Sequence, residues 1–67
     1  MSETRTYRVP GVSCEHCRAS ITEEVGAVDG VESVTVDLEA KLVEVTGAGL
    51  DDAALRAAID EAGYDVA

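Results

Sequence analysis

Phenylalanine and tryptophan are absent from these 67 residues, and Tyr7 and Tyr64 are the only aromatics. Without aromatic rows there is no platform on which nucleic-acid bases could stack. Basic residues are scarce too, five against 14 acidic ones, for a formal charge of −9. That surface repels polyanions, which argues against DNA, RNA and anionic membranes and leaves a partner with a basic docking face. Solubility alone also explains such an acidic surface. No stretch is long and apolar enough to span a bilayer. The start, Met1-Ser2-Glu3-Thr4-Arg5, lacks the apolar centre of a secretory signal. The expected compartment is the cytoplasm, where thiols stay reduced. The only cysteines, Cys14 and Cys17, are too few and too close together to staple a scaffold.

What is present is a short, apolar-patterned chain. Apolar residues make up 46% of it, too many for a disordered segment. The length implies one domain over residues 1–67 that buries about 60% of its unfolded surface. A core of that size rarely supplies more than about 3–5 kcal/mol, which excludes a large enzyme with a deep closed pocket.

Thr4 to Val9 reads as a strand with Tyr7 and Val9 on the inner face, ended by Pro10-Gly11. Cys17, Ile21, Val25 and Val28 then recur at helical spacing. Ser13 is the expected N-cap of that helix, and Glu15 suits its first turn. Val31 to Leu38 alternates as a second strand and Val43 and Val45 mark a third, with Leu42 breaking the pattern as an exposed edge. Asp51 is the expected N-cap of a second helix whose apolar stripe is Leu55, Ala58, Ile59 and Ala62. Leu50 and Leu55 are placed to form a hydrophobic staple. Gly63 suits the position after that helix, and Tyr64-Asp65-Val66 reads as a short last strand. Strand, helix, strand, strand, helix, strand predicts an α+β, ferredoxin-like βαββαβ sandwich: a four-stranded antiparallel sheet with two helices on one face.

The chemistry sits in Gly11-Val12-Ser13-Cys14-Glu15-His16-Cys17, where the first strand meets the first helix. Two residues between the cysteines let both sulfurs converge at a helix N-terminus, whose N–H groups and dipole favour thiolate. Structural zinc wants four ligands, and one such pair supplies two. Cu(I) is soft, prefers thiolate and accepts low coordination, so Cys14 and Cys17 suffice for it. A lone CxxC also marks redox pairs, so a small dithiol oxidoreductase is the competing reading. Against it, no Trp flanks the motif and the only proline is Pro10.

In these residues the chain resembles the heavy-metal-associated (HMA) domain family, in particular its bacterial CopZ-type copper chaperones. The likeness extends through Asp29-Gly30-Val31, Val34-Thr35-Val36-Asp37-Leu38 and Gly63-Tyr64-Asp65-Val66. It implies a copper chaperone rather than an enzyme, with Cu(I) on Cys14 and Cys17. It implies transfer to a copper-transporting P-type ATPase, and to a copper-responsive repressor as a further acceptor. Such chaperones often carry His between the cysteines and Tyr near the site, positions that His16 and Tyr64 match; these two and Ser13 are the candidate auxiliary or outer-sphere groups. Ser13 stands where zinc-handling relatives have Asp, which favours copper. The family's loop Met is Val12 here, which implies a looser loop with binding retained. A copper-bridged homodimer is a further expectation. Simpler readings stand beside these: a solvated His16, a Tyr64 that covers the sheet edge, and an Arg18 that either favours thiolate or merely occupies the helix surface. Tyr7 reads as core. A detached soluble domain of a larger heavy-metal transporter is the remaining alternative, and a chain running from Met1 to just past its last strand favours a stand-alone protein.

Overall fold

Three alternating segments pair into one sheet in the computed structural model, which describes residues 2–67. They are β1 (Glu3–Arg8), β2 (Val31–Asp37) and β3 (Leu42–Gly47); α1 (Glu15–Gly26) joins β1 to β2, and α2 (Asp52–Glu61) follows β3. β3 lies in the centre, antiparallel to both neighbours, in the order β1-β3-β2. Tyr7, Val43 and Val36 face one another across the sheet, and Arg5, Val45 and Val34 form the next row. Residues of one cross-strand row share a sheet face. The neighbouring rows, Thr6-Glu44-Thr35 and Arg8-Leu42-Asp37, therefore project from the other face. Leu42 is thus an outer-face residue, half-buried between Arg8 and Asp37, and this accounts for its break in the pattern.

The inner face carries the core. Val9, Val12, Ile21, Val25, Val43, Val45, Leu55 and Ile59 are fully buried, and residues of both helices join the strand valines in one cluster. Both helices therefore cover the same sheet face. Leu50 and Leu55 are both in that cluster, as a staple requires. Val28 packs against it from beyond the end of α1.

The expected fourth strand is not formed. Residues 64–67 run beside β1 without a ladder, and Ala67 N–H to Arg8 O (2.8 Å) is the backbone bond that joins them to it. One bond between short segments does not establish a strand pair. Among the described residues no helix is long and apolar enough to cross a membrane.

Candidate metal centre

The loop after β1 is pinned by two valines. Val9 and Val12 are fully buried, Val12 N–H bonds Val9 O (3.1 Å), and Val9 N–H bonds Lys41 O (2.8 Å) in the β2–β3 turn. The loop is thus anchored at Val12. Ser13 and Cys14 emerge from this anchor at the mouth of α1.

Cys14, not Ser13, is the N-cap of α1, and no side chain caps the helix. The Cys14 carbonyl accepts from Arg18 N–H (3.2 Å), which starts the helical ladder, while its thiol remains exposed. Cys17 lies one turn on, on the face that buries Ile21 and Val25, and is 8% exposed. The two sulfurs are 3.4 Å apart and both cysteines are free. A disulfide would require about 2.05 Å, so this is a converged dithiol.

Tyr64 reaches the site through the end of α2. Gly63, at φ 95°, takes the left-handed position after the C-cap Ala62. Gly63 N–H bonds Asp60 O (2.9 Å) and Tyr64 N–H bonds Ile59 O (3.2 Å), the paired bonds of a Schellman motif. That turn directs Tyr64 back over the cysteine loop. A Cβ on Gly11 would lie 3.4 Å from Tyr64 Cδ1, so the ring rests against bare backbone there.

The electrostatics favour thiolate at Cys17, whose pKa is lowered to about 6. The Tyr64 hydroxyl, donating toward the sulfur, is the main cause; the Ser13 backbone N–H and the Cys14 thiol add to it. The same pairing raises the pKa of Tyr64. Arg18 makes an ion pair with Glu15, which accounts for its position without a thiolate role. His16 is exposed, and among the described residues no three His, Cys, Asp or Glu side chains gather into one group.

Of the residues singled out from sequence, the fold brings Cys14, Cys17 and Tyr64 together. His16 is exposed, and the Ser13 backbone N–H contributes to the lowered Cys17 pKa. The seat that Gly11 provides for Tyr64 was not anticipated, nor was the link from β1 to α2. In that link the Tyr7 hydroxyl donates to Asp52 Oδ1 (2.7 Å), and Arg56 binds Asp52 Oδ2 (2.9 Å) with its guanidinium 5.6 Å from the Tyr7 ring. Only the Asp52–Arg56 spacing of four was a signal for it. Burial and the bond to Asp52 push the Tyr7 pKa up to about 12. Chemically, the centre offers two soft sulfur donors, one already favouring its ionised form, on an open loop. That donor set suits a thiophilic ion of low coordination and leaves four-coordinate zinc undersatisfied.

Residues 6–65 match the heavy-metal-associated domain family. The chain is 41% identical to the copper chaperone CopZ of Bacillus subtilis (strain 168) over 68 residues, covering 97% of each. It is 36% identical over 64 residues to a probable copper-exporting P-type ATPase of Archaeoglobus fulgidus, covering 92% of this chain and 8% of that protein. Its fold superposes on a solved CopZ metallochaperone with a TM-score of 0.91 at 31% identity, covering 97% and 100% of the two chains.

Proposed function

Because this chain belongs to the heavy-metal-associated domain family, we propose that it is a copper chaperone, carrying Cu(I) on Cys14 and Cys17 and passing it to a copper-transporting P-type ATPase. The observation that carries this reading is the pair of free sulfurs 3.4 Å apart at a helix start. The likeness to copper chaperones over almost the whole chain, and to a short part of a copper-exporting ATPase, supports the choice of cargo and acceptor. Residues 1–67 act as a single metal-carrying domain in the cytoplasm, where both thiols stay reduced.

Transfer follows from low coordination. An incoming acceptor thiolate adds to an ion held by two sulfurs, and a chaperone sulfur then leaves. The exposed Cys14 is the natural leaving ligand, and Cys17, whose thiolate form the Tyr64 hydroxyl and the Ser13 amide favour, is the natural last one. His16 is an auxiliary group that joins only in larger assemblies. The same exchange would load a copper-responsive repressor, and a second copy of the chain would supply the thiols for a copper-bridged homodimer. No catalytic turnover is involved.

The test is anaerobic transfer from Cu(I)-loaded protein to a separately purified metal-binding domain of a copper-transporting ATPase, read after the two are resolved on a column. Copper should move to the acceptor until the two affinities balance. Copper that stays with the chain when the acceptor binds more tightly would refute the chaperone reading. Turnover in a disulfide-reduction assay would favour an oxidoreductase instead.

A further inference from the structure

The two edges of the sheet differ in what covers them. Beside β1, the C-terminal segment reaches Arg8 through the Ala67 bond. The outer edge of β2, over Val31–Asp37, has no partner strand among the described residues. Next to that edge the flank of α1 stands off the sheet and leaves a groove of about 520 Å³. Ala19 and Thr22 line it from the helix, and Val34 and Val36 line it from the strand. Unused backbone hydrogen-bonding groups beside an apolar groove are what strand addition requires: main-chain bonds supply affinity and alternate side chains enter the groove.

Charge selects the occupant. Glu23 lines the groove, and Glu32, which accepts from Ser2 Oγ (3.5 Å), is exposed near the start of β2; Asp37, at the far end, projects from the outer face and accepts from the Glu39 and Ala40 N–H groups. Arg18, the cation at its rim, is already paired with Glu15. A second copy of the chain would bring the same acids to the same edge, and each copy carries a formal charge of −9. Like charges placed opposite one another oppose that pairing. We propose that the β2 edge and the α1–β2 groove form a strand-addition site for an extended segment of a partner protein in which apolar residues alternate with Lys or Arg. The groove begins at Arg18, next to Cys17, so a bound segment holds its owner beside the thiols. Docking there uses no metal ligand and stands apart from the choice of cargo.

The probe is the capped peptide Lys-Val-Lys-Val-Lys-Val-Lys, titrated into the reduced full chain at low salt and followed by amide NMR. Shifts should concentrate in residues 18–23 and 31–37, and β2 amides should exchange more slowly. Glu23→Gln with Glu32→Gln should weaken binding about three- to tenfold, as expected for two exposed charge pairs. Ala19→Arg, at an exposed helix position that keeps its helix propensity, should fill the groove and weaken binding further; its circular dichroism reports whether the fold persists. The proposal is overturned if Asp60→Asn with Glu61→Gln, on the far end of α2, weakens binding as much. It is equally overturned if Glu-Val-Glu-Val-Glu-Val-Glu binds as well, or if sedimentation shows that the chain pairs with itself through this edge.

Discussion

The chain steps from strand to helix twice, after β1 and after β3, and the two helix starts are built differently. Before α2, Leu50 is buried and Asp51 caps the helix, its side chain accepting from Ala53 N–H (3.1 Å). Before α1, Val12 is buried in a similar place, but the cap is Cys14 and its side chain bonds no helix amide. An N-cap side chain contributes about 1 kcal/mol. The first helix forgoes that contribution, and its cap residue instead directs a sulfur toward Cys17. A place where local stability is not maximised while a neighbouring, equivalent place is conventionally built marks a functional site.

The largest expected effect lies at the last residue of β3, just before the connection to α2. A Cβ on Gly47 would sit 2.0 Å from the Gly30 carbonyl oxygen, backbone against backbone. Gly47→Ala should therefore cost more than about 3 kcal/mol, and thermal melting should show a protein unfolded or lowered by more than about 10 °C. Gly11→Ala, in the other connection, meets only the Tyr64 ring at 3.4 Å and should leave the fold intact.

Cys14→Ser inverts the contrast. Serine should supply the missing cap and raise stability by about 0.5–1 kcal/mol, seen as a melt shifted upward by a few degrees. Affinity for a thiophilic ion should fall by more than about a hundredfold, beyond the 10–100-fold usual for an outer-sphere partner. A melt shifted downward would show that the thiol contributes to the helix start in some other way.

Tyr64→Phe removes the main group that holds Cys17 ionised. The Cys17 pKa should rise from about 6 toward the ordinary thiol range, read from thiolate ultraviolet absorbance against pH. Metal affinity should fall about tenfold. The sign for stability follows from the depressed value. The contribution of this ionisation is complete above the unfolded thiol pKa, about 8.5, and is lost as pH falls through about 6. Tyr64→Phe should shrink that acid-side loss. The smallest effect is at the conventional cap, where Asp51→Ala should cost about 1 kcal/mol and leave metal binding unchanged.

Much of this was legible from residue pattern. Tyr7, Val36, Val43 and Val45 alternate as inner-face residues must, and Ile21, Val25, Leu55 and Ile59 fall on helical stripes. The CxxC spacing alone brought Cys14 and Cys17 together. The failures were at ends. Ser13 and Cys14 are adjacent, and a preference for Ser at caps cannot register a chain pinned one residue earlier by Val12. The last strand failed because alternation over Tyr64-Asp65-Val66 describes a face, not a hydrogen-bonded partner. Leu42 became intelligible only through its register opposite Arg8 and Asp37. The approach of Gly47 to Gly30 joins residues far apart in sequence and leaves no local signal beyond the glycines themselves.

If the chain is a metal carrier, the uncapped start of α1 holds a soft ion on two sulfurs. An anaerobic competition of the reduced chain against a chromophoric Cu(I) chelator, with Zn(II) run in parallel, tests it most directly. The expected result is one Cu(I) per chain, held far more tightly than zinc, and none held by the Cys14→Ala, Cys17→Ala double variant with its fold retained. Zinc bound as tightly as Cu(I), or copper held equally well by the double variant, would contradict it.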